Sequence, residues 1–353
     1  MPVIAVPALR GAALSFLNRA TVRRKGKIMT RYADVNPLSP NAFEIHRTTV
    51  RDGIELAYVR EGKGGLPLLL LHGWPATKRI FYRNIRPLAD AGFEVIAPDA
   101  SGWGDSPVPA SGYADPTSSA HDFKALMEHL DHKRWVLGAF DFGSITAMHM
   151  VNRFPEKIIR QVLWNAVVPF IPEEYERAGV GGDMIQENEV ISDHVKDHGD
   201  DPDTFAQRYD SPQKRREYVM GFYQQRVWKA GHALRRLAAP GSFDDESAAF
   251  HAQAFAEAAR FRASLNYYAA LTHPERCFEP PLLNQKVGTE TMFLYGVADE
   301  IIGPILTRRA EVAYSNLVGP FHVQGGGHFL SWERPTVVNS AIACFCRDLL
   351  RNR

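Results

Sequence analysis

Cysteine is scarce: Cys277, Cys344 and Cys346 are the only three in 353 residues. That is too few for a disulfide framework, and it suits a reducing, cytoplasmic setting. Cys344 and Cys346 stand two apart on an expected C-terminal helix, so they do not share a face and read as ordinary thiols. Surplus charge is missing too. Forty-one basic residues against 40 acidic ones leave a net +1, which gives no electrostatic ground for nucleic acid or an anionic membrane as partner. No apolar run approaches the ~20 residues that span a bilayer. His121, His129 and His132 form no metal-ligand pattern. The glycines at 325–327 come without the G-x-x-x-x-G-K-S/T of a phosphate loop. Acidic residues are absent from residues 1–33, which carry seven basic ones. A secretory signal places its charges before its apolar stretch, whereas VIAVPAL comes first here. Residues 1–43 therefore read as a poorly ordered leader; a transit-like peptide, or a true start at Met29, stays open.

What is present is a rhythm. EIHRTTV and IELAYVREG flank an Arg-Asp-Gly turn and read as two paired strands. PLLLLHG (67–73) is an apolar strand ending at a glycine, as expected of a strand buried on both faces. A helix over 77–90, the strand FEVIAPD, a helix over 118–131, the strand WVLGAF, a helix from Ser144 and the run IIRQVLWNAVV follow in turn. Such alternation specifies an α/β fold with a mostly parallel, twisted sheet and helices on both faces. It stops after Val168. Residues 169–217 are polar and turn-rich, 218–273 show helical periodicity, and strands resume at TMFLYGV (291–297). The expected organisation is a core of 44–168 and 276–353 with an inserted helical cap at 169–275.

In such a sheet, ligands bind beyond the carboxyl ends of the strands, and three of those ends carry reactive side chains. Asp141 stands in AFDFG, where Ala139 and Gly143 meet the steric demand of a sharp strand-to-helix elbow. Asp299 follows the strand 291–297, and His328 follows three glycines in GGGHF. By itself Asp141 would serve as a helix N-cap. Glu300 competes with Asp299, and His322 reads as a strand residue.

Together HGWP (72–75), PDASGWGDS, the elbow, GVAD and GGGH resemble the α/β-hydrolase family across about residues 44–350. The resemblance implies a triad of Asp141 as nucleophile, Asp299 as orienting acid and His328 as base. It also implies an oxyanion hole from the backbone N–H groups of Trp74 and Phe142. An aspartate, ionised at neutral pH, suits attack on an sp³ carbon, with His328 then activating water against the resulting ester. Epoxide hydrolysis and dehalogenation both fit. Phe142 offers a halide nothing, although the indole of Trp74 could. LNYY (265–268) resembles the lid segment of epoxide hydrolases and implies Tyr268 as one ring-activating phenol. YVMGFYQ implies Tyr218 as the other, with Tyr223 as fallback and pocket residue, while Tyr267 reads as packing.

The expectation is a cofactor-independent epoxide hydrolase, without metal, acting on a small-molecule epoxide and water, with a homodimer left open. A haloalkane or haloacid dehalogenase is the alternative. A non-catalytic α/β-hydrolase-fold receptor or scaffold is the alternative of another class.

Overall fold

The computed structural model describes residues 36–181, 193–230 and 233–351. The expected leader up to residue 35, Met29 and part of the polar stretch after Val168 lie outside them. Among the described residues eight strands form one sheet in the order β1-β2-β4-β3-β5-β6-β9-β10. They are β1 (His46–Arg51), β2 (Ile54–Glu61), β3 (Leu66–Leu71), β4 (Phe93–Pro98), β5 (Trp135–Asp141), β6 (Ile158–Ala166), β9 (Thr291–Gly296) and β10 (Leu317–Val323). β1 and β2 form the antiparallel hairpin expected at Arg-Asp-Gly, and β2 also runs antiparallel to β4; the remaining pairs are parallel. Every residue of β3 and β4 is buried, as expected of their apolar runs, and the one charge among them, Glu94 on β4, is paired with Arg60.

The chain leaves β3 for β4 on one side and returns through β5 on the other. The carboxyl ends of β3 and β5 therefore flank a point where the winding reverses, which is where an open parallel sheet has its crevice. The helix α1 (Pro116–His129) is started by a capping box between Asp115 and Ser118, two residues earlier than the sequence suggests. α2 (Phe142–Arg153) begins directly at the end of β5. The helix expected over 77–90 is instead a 3₁₀ turn, Lys78–Phe81, and a short helix, Ile85–Asp90.

Between β6 and β9 the polar stretch is less irregular than its composition implies. Pro172–Arg177, residues 193–199 and Pro202–Gln207 are helical, followed by α3 (Pro212–Gln224). A hairpin of β7 (Arg226–Ala230) and β8 (Ala233–Arg236) interrupts the expected helical block before α4 (Asp245–Ala252), α5 (Ala258–Ser264) and α6 (Asn266–Thr272). Helical periodicity could not announce a hairpin whose strands are only five and four residues long and mix charged with apolar side chains. α7 (Ile305–Ala313) and α8 (Pro335–Phe345) follow, with short helical turns at Leu330–Glu333 and Arg347–Arg351. Among the described residues no helix is long and apolar enough to cross a membrane.

A buried ion cluster fixes the loop after β3. Asp99 accepts from the backbone N–H groups of Lys78 and Asp105, and the fully buried Lys78 ammonium bridges the carboxylates of Asp99 and Asp105. This ties PDASGWGDS to HGWPATK and so holds the Trp74 turn. Replacing Lys78 by Met strands Asp99 as a buried unpaired charge. Urea denaturation of Lys78→Met should show a stability loss of about 3–5 kcal/mol; a change below about 0.5 kcal/mol would mean the cluster does not hold the turn.

Candidate active site

The elbow is strained where the sequence places it. Asp141 has φ 48° and ψ −131°, a conformation that L-residues avoid and that persists only where surrounding packing enforces it. Two glycines make room for it. A Cβ at Gly143 would stand 2.3 Å from the Leu71 carbonyl oxygen, and one at Gly73 would stand 2.3 Å from Asp141 Oδ1. β3 and α2 can thus approach closely enough for the Trp74 N–H to donate to Asp141 Oδ1 at 2.8 Å. Phe142 is the first residue of α2, so its N–H has no acceptor within the helix. Both expected oxyanion donors belong to the turns that bound this carboxylate.

The three residues expected as a triad lie together. His328 Nδ1 donates to Asp299 Oδ2 at 2.7 Å, and Nε2 stands 3.3 Å from Asp141 Oδ2. The second distance is an ion-pair contact without an aligned hydrogen bond among the described residues. Asp299 Oδ1 accepts from the N–H groups of Ile301 and Ile302. Burial works to lower the His328 pKa, but the interactions with Asp299 and Asp141 outweigh it and raise the imidazole to about 10. At neutral pH it is an imidazolium between two carboxylates.

Two residues that the sequence reading missed hold this frame. Asn165, at the end of β6, donates through Nδ2 to Asp299 Oδ2 at 2.9 Å and accepts from the Gly296 N–H. Its signal was a polar residue at the end of an apolar strand, the position that carries chemistry elsewhere in the sheet. Glu333 accepts from the N–H groups of Gly327, Phe329 and Ala239, gripping the backbone on both sides of His328. Nothing local to Glu333 distinguishes it from a surface glutamate.

The aromatic lid surrounds Trp74, whose ring contacts His194, His198, Tyr218, Phe222, Phe255 and Tyr268. Its indole N–H donates to Ser264 Oγ at 3.2 Å. Tyr268 packs on Phe142 with centroids 4.7 Å apart. Burial first, then the Asp141 charge, hold the Tyr268 phenol well above its ordinary range, and burial does the same for Tyr218. Both keep their protons at neutral pH. Tyr223 is not brought to this cluster by its polar end: its hydroxyl donates to the Pro75 carbonyl and its ring packs on Phe243 and Phe329. Its expected pocket role gives way to support of the turn. Tyr267 packs on Trp103, and His322 lies on β10.

The family model described as the alpha/beta hydrolase fold matches residues 67–335, and the chain belongs to that family. It is a hydrolase. An epoxide hydrolase of Caballeronia sordidicola is 25% identical over 320 residues, 84% of this chain and 92% of that protein. YNR064C, an uncharacterized hydrolase of Saccharomyces cerevisiae, is 32% identical over 121 residues, 34% of this chain and 41% of that protein's own length. The solved structure of the epoxide hydrolase CorEH without ligand superposes with a TM-score of 0.69 at 22% identity, over 87% of this chain and 99% of that one. At that identity the likeness speaks for the fold.

Two outcomes follow for the frame. The His328 ring should titrate near pH 10 by NMR, and Asp141→Asn, which removes one of its two carboxylates, should lower that value; an unchanged pKa would separate the two groups. Because the native pKa exceeds the ordinary 6.5, the stability from protonating His328 is fully present below about 6.5 and is lost as pH rises through about 10. Glu333→Ala leaves the buried Gly327 and Phe329 donors unpaired. It should lower stability by about 2–4 kcal/mol in thermal or urea unfolding, with a neutral result refuting the grip.

Proposed function

We propose that this hydrolase opens epoxides to vicinal diols through a covalent ester on Asp141. The observation that carries the reading is a strained carboxylate with one oxygen on a backbone donor and the other facing an imidazolium, beside a Trp74 ring packed by two protonated phenols, Tyr268 and Tyr218. Residues 169–275, read as the cap, supply those phenols. The Caballeronia relative supports the substrate class.

The proposed chemistry closes on itself. Asp141 Oδ2 attacks an epoxide carbon; the C–O ring bond breaks, and its oxygen takes a proton from Tyr268 or Tyr218. Esterification removes one of the two negative charges that keep His328 protonated, so the imidazolium yields its proton to the tyrosinate and becomes a base. It then takes a proton from water, and the hydroxide adds to Cγ. The negative charge develops on Oδ1, held by the Trp74 N–H and joined by that of Phe142, an effect worth ~3–4 kcal/mol per donor in comparable sites. Collapse cleaves Cγ–Oδ2, and the acid's proton passes to the leaving alkoxide. The diol departs, leaving carboxylate and imidazolium as at the start.

A weakly basic halide needs N–H donors instead. Phe142 has none in its side chain, and the Trp74 indole is engaged with Ser264, which disfavours the dehalogenase reading. In the reading preferred here the partners are a small epoxide and water in a cytoplasmic setting.

The test is intact-protein mass spectrometry of His328→Gln exposed to small epoxides and to matched haloalkanes. A gain of one whole epoxide mass, absent in Asp141→Asn, is expected. A gain of a haloalkane minus HX would replace this reading with dehalogenation. No adduct from either panel would contradict both.

A further inference from the structure

Two histidines that the mechanism does not use stand behind the lid phenols. His194 and His198 lie on the helical segment 193–199, four residues apart and therefore on one face, with ring centroids 3.8 Å apart. Both are buried. Tyr268 Oη is 3.2 Å from His194 Nε2, and Tyr218 Oη is 2.7 Å from His198 Nε2.

The second contact has a readable direction. His198 Nδ1 is 2.8 Å from the His194 carbonyl oxygen. A carbonyl only accepts, so Nδ1 carries a hydrogen. Burial lowers the His198 pKa to about 4, which leaves a neutral ring whose Nε2 is a bare lone pair. Tyr218 is therefore the donor, and at rest its one proton points to His198. The ring cannot easily turn away, because Phe205 and Tyr268 pack against it with centroids at 4.1 and 4.8 Å.

We infer that His198 is a positioning residue for Tyr218, engaging at rest the proton that the phenol would give in the ring-opening half of the reaction and taking no part in the hydrolytic half. The inference rests on the epoxide reading for its step and on the resting geometry for its pair. The two lid tyrosines are then unequal. Tyr218 must release His198 before it can donate to a ring oxygen, whereas Tyr268, with the longer contact, is the readier acid.

The experiment measures the rate of ester formation in the His328→Gln background, where hydrolysis is blocked. Adding His198→Leu should speed ester formation up to about tenfold, the equivalent of one net hydrogen bond that no longer has to break. His198→Gln, which can still accept from the phenol, should show only part of that gain. With Tyr218→Phe already present, His198→Leu should produce no gain. An equal change with and without the Tyr218 hydroxyl would assign His198 to packing and overturn the inference, as would no change or a loss. In the otherwise wild-type enzyme, His198→Leu should leave hydrolysis of the preformed ester unchanged. Histidine ¹⁵N NMR of the resting protein tests the pair without substrate. His198 should be neutral with hydrogen on Nδ1 at pH 7, and Tyr218→Phe should perturb Nε2. The opposite tautomer, or a cation, would overturn it. If His328→Gln takes up no epoxide at all, the substrate reading fails and the NMR result alone decides the pair.

Discussion

One oxygen of the Asp141 carboxylate lies against the backbone of the Trp74 turn, and that approach governs the architecture around it. It requires β3 and β5 to be neighbours, which the reversal of winding between them provides. It requires bare backbone at Gly73 and Gly143, because a Cβ at either would occupy space used by the carboxylate or by the strand end. It requires Asp141 itself to accept an unfavourable dihedral. The Lys78–Asp99–Asp105 cluster immobilises the far side of the same turn. Strain at one residue is thus supported by a buried ion network more than twenty residues away in the chain.

Electrostatics then join the two halves of the proposed reaction. An imidazole between two carboxylates is a poor base, since its proton is held to about pH 10. Neutralising one carboxylate by alkylation removes part of that hold. The base becomes competent after the ester has formed, which is when water is needed. Asn165 and Glu333 keep this timing reliable by fixing Asp299 and the His328 backbone, so the change in charge is not absorbed by movement of the ring.

Much of this was legible in the chain. The buried strands, the elbow, the order of Asp141, Asp299 and His328, and the Trp74 turn all follow from local patterns. Strand ends in a parallel sheet converge regardless of the intervening loops. What was not legible depends on contacts distant in sequence. Glu333 acts on Gly327 and Phe329 only because a turn folds back. The β7–β8 hairpin is carried by the pairing of two short strands of mixed charged and apolar residues. His194 and His198 sit in a polar stretch whose composition resembles surface, yet the lid buries them against aromatic rings. Tyr223, the fallback to Tyr218 in the same segment, is set apart by its bond to the Pro75 carbonyl and its packing on Phe243 and Phe329, contacts far off in sequence.

The central claim is that Asp141 attacks carbon directly and does not merely activate water. A single turnover in H₂¹⁸O, with enzyme in excess over epoxide, tests it most directly. The account predicts unlabelled diol and one ¹⁸O in the peptide carrying Asp141, because the oxygen given to product is Oδ2 and water replaces it. Label in the diol with none in that peptide would contradict the account, leaving Asp141 as a general base and the ester without a role.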